Sequence, residues 1–262
     1  RSPMIAKTVR EFLPKAELLA YLEAIMRVYN LEGRRDNKFK ARVKILVHEL
    51  GAETFIARVE EEYARLDGAM LNVDPEEQAR IEAYFAPPAF ETLPERSAPF
   101  EQAKARDPDF ARFARVNLFP HKLPGYTALT VSLKPIGAPP GDATSDQMRV
   151  LADLAERFSL DELRVTHVQN IVLPHVKLDD VPDVWAALVE AGLATANAGL
   201  VTDIIACPGM DYCSLATARS IPIAQEIAKR FADPERQRLI GQLGIKISRC
   251  INACGHHHVG DI

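Results

Sequence analysis

All four cysteines of the chain lie in two pairs near its end, Cys207 with Cys213 and Cys250 with Cys254. Four thiolates on two short loops suit a tetrahedral sulfur site, which holds either zinc or an iron–sulfur cluster. Structural zinc sites favour about two to four residues between paired ligands. Here five residues separate the first pair and three the second. The spacing therefore favours a cluster with these four ligands and leaves a zinc-stabilised structural module as an alternative.

Cysteines confined to one motif indicate ligation in a reducing compartment rather than a disulfide framework, so we expect a cytoplasmic protein. A formal net charge of −4 gives no electrostatic footprint for nucleic acid. No apolar run approaches the length of a membrane span. Nucleic acid and membrane are thus not expected as partners.

The first 85 residues are predicted to be helical. Apolar residues recur at helical spacing over 15–29, and further helices are predicted over 37–50 and 53–66, the former ended by Gly51. Proline at position 75 is placed to begin a short fourth helix. Residues 86–124 contain seven prolines and no clear periodicity, which predicts an irregular connector.

The next segment changes period. Alternating apolar residues predict a strand over 126–133, and Thr144 with Gln147 forms a capping box for a following helix. Strands over 162–166 and 170–173 precede a helix that carries Trp185, expected in the core. Strand–helix–strand–strand–helix is the order of a ferredoxin-like half domain.

Each cysteine pair follows a predicted strand, at 203–206 and at 245–248, with helices predicted over 221–231 and 234–243 between them. A strand end can hold such a loop rigidly. A single helical turn over 250–254 would bring the second pair of thiols to one face.

These motifs together resemble the ferredoxin-dependent nitrite and sulfite reductase family. The residues that carry the resemblance are Cys-Pro-Gly-x3-Cys at 207–213, Arg-Cys-x-Asn-x-Cys-Gly at 249–255, Arg-Val-Thr-His-Val-Gln-Asn at 164–170, and Gly-Arg-Arg-Asp at 33–36 followed by Ala-Arg-Val-Lys at 41–44. The resemblance implies six-electron reduction of sulfite to sulfide or of nitrite to ammonia. It also implies a sirohaem coupled to a 4Fe–4S cluster, and an electron donor such as ferredoxin or a flavoprotein.

The resemblance also implies roles for particular residues. The four cysteines match the cluster ligands, and Cys254 matches the thiolate that bridges the cluster and the sirohaem iron. Asn252 matches a polar contact to the carboxylates of the macrocycle. Gln169, Asn170 and Arg42 match positions that line the sirohaem cavity.

The family's anion-binding arginines and lysines lie upstream of Arg1, so we expect the catalytic residues outside this chain. The resemblance therefore implies a fragment of a longer reductase, one that is inactive alone. An iron–sulfur module for electron transfer or maturation, without sirohaem, is a further alternative.

The fold class expected is α+β. We predict the end of a first sirohaem half domain with a helical linker over 1–85, and the proline-rich connector over 86–124. A ferredoxin-like half domain is predicted over 125–198, and the start of a second sirohaem and 4Fe–4S half domain over 199–262.

Overall fold

The computed structural model describes residues 4–66 and 74–262. The chain divides into two compact units, Arg1–Pro87 and Pro88–Ile262. Within the described residues, no helix is long and apolar enough to cross a membrane.

The first unit is helical. Its helices are α1 (Leu18–Glu32), α2 (Val43–Leu50), α3 (Ala52–Arg65) and α4 (Pro75–Tyr84). Its core contains Tyr21, Ala24, Val28, Leu46, Phe55 and Val59.

Helix α2 begins six residues later than the sequence pattern predicts. The carboxamide of Asn37 accepts a hydrogen bond from the Phe39 amide at 2.9 Å, and the Lys40 amide donates to the Asn37 carbonyl at 2.9 Å. An asparagine side chain that bonds the backbone two residues on favours a turn over a helix. Residues 37–41 therefore form turns, and Gly51, with φ of 80°, ends α2 as expected.

The second unit holds two sheets and six helices among its described residues. Its elements are α5 (Ala98–Arg106), α6 (Pro108–Asn117), β1 (Leu118–Pro120), β2 (Tyr126–Ser132), α7 (Ser145–Phe158), β3 (Arg164–Val165), β4 (Asn170–Lys177), α8 (Val181–Glu190), β5 (Ile205–Ala206), α9 (Ile221–Arg230), α10 (Pro234–Ile240) and β6 (Lys246–Ile247). The larger sheet is antiparallel in the order β1-β2-β4-β3, and β5 pairs with β6 in parallel. The α+β class and the ferredoxin-like order β2-α7-β3-β4-α8 are confirmed.

The expectation of an irregular segment over 86–124 is wrong. Helices α5 and α6 each have one of this segment's prolines in the first turn, Pro99 and Pro108, and are capped by the side chains of Ser97 and Asp107. Proline in a first turn begins a helix, because the amide it lacks would be unpaired there anyway. The aromatic rings of Phe100, Phe110 and Phe113 fill the core against the sheet, with Trp185 packed on Phe110.

Strand β4 runs four residues past its predicted end at Leu173, through Pro174. The pairing register between β2 and β4 shifts between Thr127 and Leu129, opposite Pro174 and His175. Such a bulge accommodates a residue that cannot donate to the ladder. The capping box of Thr144 and Gln147 is formed as predicted.

Two histidines and a glutamate form a hydrogen-bonded chain beside β4. The Leu123 amide donates to His121 Nδ1 at 3.0 Å, so His121 Nε2 carries the proton and donates to His175 Nδ1 at 3.1 Å. His175 Nε2 then donates to Glu162 Oε2 at 3.2 Å. The ring of Phe90 packs on both imidazoles. Because His175 Nδ1 accepts in this chain of bonds, His175 is neutral.

Acidification is therefore expected to destabilise the second unit. Burial lowers the pKa of His175 from 6.5, although Glu162 opposes the shift. The unfolded chain then binds a proton that the folded chain does not, so stability is lost as the pH falls below about 6.5. Urea unfolding between pH 7 and pH 5 measures this slope. His175→Phe should flatten it, while His258→Gln, at an exposed histidine, should not; equal slopes in all three proteins would contradict the expectation.

Candidate metal centre

The two cysteine loops lie side by side because the strands that precede them are paired. Ile205 pairs with Lys246 and Ala206 with Ile247 in a parallel ladder. The Cys207 amide extends the ladder by donating to the Ile247 carbonyl at 3.0 Å. Both strands, each leading into a cysteine loop, are predicted from the sequence.

A second contact joins the loops beyond the strands. Both the amide and the hydroxyl of Thr217 donate to the Arg249 carbonyl, at 3.3 and 3.0 Å. Thr217 follows Cys213, and Arg249 directly precedes Cys250. These hydrogen bonds therefore join the end of the first cysteine loop to the start of the second.

The first loop folds back on itself after Cys207. A short 3-10 helix covers Gly209–Asp211, and the Cys213 amide donates to the Gly209 carbonyl at 2.9 Å. The Ser220 hydroxyl donates to the Cys207 carbonyl. The loop therefore begins at a fixed, buried cysteine.

The second loop is a turn, and the predicted helical turn over 250–254 is wrong. The Ala253 amide donates to the Cys250 carbonyl at 3.2 Å, but Ala253 has a φ of 56°. A residue in this left-handed region cannot continue a right-handed helix. Gly255 then packs directly on the backbone of β6: a Cβ there would lie 2.2 Å from the Ile247 carbonyl oxygen.

The four thiols are free and differ in exposure. Cys207 is buried, Cys213 and Cys250 are partly exposed, and Cys254 is exposed. Across residues 4–66 and 74–262, no three His, Cys, Asp or Glu side chains stand close enough to share one metal ion. The structure thus brings the loops together without gathering their sulfurs around a single point.

Gln169 is the last residue of the turn between β3 and β4, and Asn170 is the first residue of β4. Both side chains contact the segment just before Cys207. The Gln169 carboxamide donates to the Ala206 carbonyl at 2.8 Å and accepts from the Ala206 amide at 3.0 Å. The Asn170 carboxamide is fully buried and donates to both carboxylate oxygens of Asp203, at 3.1 and 3.3 Å. Their predicted role in a sirohaem cavity stays a prediction, since these hydrogen bonds are internal.

Lys134 was missed by the sequence reasoning. Its side chain is 2% exposed, and its Nζ donates to Asp203 at 2.5 Å, to Asn170 Oδ1 at 3.1 Å and to the Val168 carbonyl. Burial lowers the pKa of Lys134, while Asp203 counteracts the shift. One sequence feature could have indicated a buried lysine: Lys134 directly follows the predicted strand over 126–133, all of whose residues are apolar or carry a hydroxyl.

Two other predicted residues are Asn252 and Arg42. Asn252 is exposed on the second cysteine loop. Arg42 precedes α2 in the first unit and is also exposed. Their roles toward sirohaem stay predictions.

Gly209 gives a prediction for the first loop. Its φ is 64°, and a Cβ there would lie 2.6 Å from Ser220 Oγ and 3.0 Å from the Ala218 carbonyl oxygen. Gly199 has a φ of 73° and nothing within 4 Å. Gly199→Ala should cost about 1–2 kcal/mol from the left-handed backbone alone. Gly209→Ala should lower the free energy of unfolding by more, because its Cβ would also clash with Ser220 and displace the loop.

Urea unfolding followed by Trp185 fluorescence compares the two alanine variants of Gly199 and Gly209. Trp185 is the single tryptophan of the chain and packs on the core of the second unit. Equal losses of stability would show that the close contacts of Gly209 do not matter.

Comparisons with known proteins agree with the architecture. Residues 127–191 match the family model described as the nitrite/sulfite reductase ferredoxin-like half domain. Residues 1–66 match the nitrite and sulphite reductase 4Fe-4S domain. All four cysteines lie outside both matched segments.

Relatives align along nearly the whole chain. The chain is 29% identical to the chloroplastic ferredoxin–nitrite reductase of Zea mays, across 94% of the chain and 37% of the relative. It is 26% identical to sulfite reductase [ferredoxin] 2 of Mycolicibacterium paratuberculosis, across 100% of the chain and 41% of the relative. The chain therefore spans about two fifths of the length of these relatives.

A solved structure shows the same fold. The structure of Mycobacterium tuberculosis NirA protein matches 97% of the chain and 40% of its own length, with a TM-score of 0.59 and 24% identity. The two domain matches, together with relatives along nearly the whole chain, show that it belongs to the nitrite and sulfite reductase family.

Proposed function

We propose that this chain is part of a reductase of sulfite or nitrite, in which Cys207, Cys213, Cys250 and Cys254 hold a 4Fe–4S cluster beside sirohaem. The observation that carries the proposal is the parallel pair β5–β6, which delivers both cysteine loops to one place. When bound, the two cofactors would relay six electrons, one at a time, from the external donor and would supply the iron at which the anion is reduced.

The four proposed ligands are chemically suited to an iron–sulfur cluster. All four groups are free thiols, which as thiolates are the usual ligands of a 4Fe–4S cluster. Buried Cys207 is held by the hydrogen bond that its amide donates to the Ile247 carbonyl, and the turn over 250–254 exposes Cys254. Cys254 is the thiolate proposed to bridge cluster and sirohaem. Arg42, Asn252, Gln169 and Asn170 are proposed to contact the macrocycle.

The names of the relatives support the proposed substrates and donor. The maize protein is named a ferredoxin–nitrite reductase, and the Mycolicibacterium paratuberculosis protein is named sulfite reductase [ferredoxin] 2. Ferredoxin is therefore the proposed electron donor. A cytoplasmic location stays a prediction from the cysteine usage.

The test uses the full-length protein that contains this chain. Iron and zinc are measured, the absorption spectrum is recorded, and reduction of sulfite and of nitrite is followed with reduced ferredoxin. We expect about four cluster irons plus one sirohaem iron per protein. Cys213→Ala should remove the cluster and the activity, whereas Ser214→Ala, at the next, exposed residue, should remove neither. A protein with zinc and no iron would overturn the proposal.

A cluster protein without sirohaem is the second candidate. Its support is that the carboxamides of Gln169 and Asn170 are engaged in internal hydrogen bonds rather than turned to a ligand. Four irons per protein, with no sirohaem in an acid–acetone extract and no reduction of either anion, would favour this candidate.

A further inference from the structure

The turn between β3 and β4 is held in one conformation by its own backbone and by a threonine. The Thr166 hydroxyl donates to the Asn170 carbonyl at 3.0 Å and accepts from the Asn170 amide at 3.0 Å. The Gln169 amide donates to the Thr166 carbonyl at 3.3 Å, and Gln169 has a φ of 58°. Non-glycine residues adopt this region rarely, and only where the surroundings fix it.

In this conformation the Gln169 side chain reaches the strand that leads to Cys207. Its carboxamide satisfies both the amide and the carbonyl of Ala206, at 3.0 and 2.8 Å. A pair of bonds of this kind is what a neighbouring strand would supply. Ala206 pairs with β6 as well, so the residue before Cys207 is held from two directions.

The turn and the start of β4 are also tied to Asp203, in the segment that leads into β5. Asn170 and Lys134 both bond the Asp203 carboxylate, and Lys134 also bonds the Val168 carbonyl of the turn. Gly141 lets the Gln169 side chain pack closely, since a Cβ at Gly141 would lie 3.1 Å from the Cβ of Gln169. The turn and the strand before Cys207 therefore form one rigid piece.

We propose that Gln169 is a positioning residue for the first cysteine ligand: its carboxamide fixes Ala206, and through Ala206 the place of the Cys207 thiol. That this thiol binds a cluster rests on the proposed function. Loss of the carboxamide should free the end of β5 locally, while the core of the second unit stays folded.

The first measurement needs no cofactor. In the 262-residue chain, the alkylation rate of each cysteine by iodoacetamide is measured by peptide mass spectrometry. Gln169→Leu should raise the rate at Cys207 about tenfold, because two hydrogen bonds that oppose local opening are lost. Gln169→Glu keeps the acceptor for the Ala206 amide but loses the donor, and should give a smaller increase.

The matched control is Gln225→Leu. Gln225 lies in α9 of the same unit, and its carboxamide also donates to a backbone carbonyl, that of Gly137 at 3.0 Å. This variant should leave the rate at Cys207 unchanged. Equal rates at Cys207 in the wild type and in Gln169→Leu would overturn the proposal. So would a uniform rise at all four cysteines with a lowered unfolding midpoint, because that indicates global destabilisation.

The second measurement uses the full-length protein loaded with its cluster. Gln169→Leu should speed the release of iron to a chelator about tenfold or more and change the electron paramagnetic resonance spectrum of the reduced cluster, whereas Gln225→Leu should do neither. Unchanged release and spectrum would overturn the proposal. If the wild-type protein binds no cluster, the proposed function fails, while the alkylation rates still decide the role of Gln169.

Discussion

Asp203→Ala is expected to lower the free energy of unfolding of the second unit by about 3–5 kcal/mol, because it leaves the Lys134 ammonium buried without its counter-ion. The ammonium and the carboxylate stand 2.5 Å apart, with side-chain exposures of 2% and 7%. Asp203 also accepts from the Gly199 amide at 2.7 Å and from Asn170, so its loss unpairs further buried donors. Urea unfolding followed by Trp185 fluorescence measures the change.

The double variant Lys134→Met with Asp203→Leu separates charge from packing. Replacing both partners of a buried ion pair by apolar side chains of similar size is often close to neutral. We therefore expect the double variant to recover much of the stability that Asp203→Ala loses. A double variant as unstable as the single one would show that the carboxylate acts through its hydrogen bonds rather than through the charge of Lys134.

Phe113→Ala is expected to cost about 3–5 kcal/mol, the usual range for truncating a fully buried aromatic side chain. Phe113 is 1% exposed and lies on α6, within the segment that the sequence pattern predicted to be irregular. The same urea unfolding experiment measures the loss. Phe119→Ala, two residues beyond α6 and 43% exposed, is the control and should cost far less. Similar losses for both variants would place α6 outside the core.

The sequence predicted most of the second unit because its signals are local. Period-two alternation in β2, the capping box of α7 and the strands before each cysteine loop all correspond to elements of the structure. The prediction for the proline-rich segment was wrong for a physical reason. A proline in the interior of a helix breaks it, whereas a proline in the first turn favours the start of a helix. Only the caps at Ser97 and Asp107 distinguish the two cases.

The candidate site was less predictable from sequence than the fold. Residue type and spacing predict the four cysteines as candidate ligands, but hydrogen bonds between distant segments leave no periodic signal. Lys134 with Asp203, and Gln169 with Ala206, are contacts of this kind. The left-handed φ of Ala253 prevents the second loop from forming a helical turn. An alanine in the sequence gives no indication of such a backbone conformation.

The shortness of the β5–β6 ladder bears on the order in which the protein folds. It pairs only Ile205 with Lys246 and Ala206 with Ile247, across a segment that contains two helices. Closing a long loop costs entropy before its contacts repay it, so such pairings form after local ones. We therefore expect the β3–β4 hairpin to form before the two cysteine loops meet. The two cysteine loops would then meet among the last events of folding, and that step would limit how early the proposed cluster could be inserted.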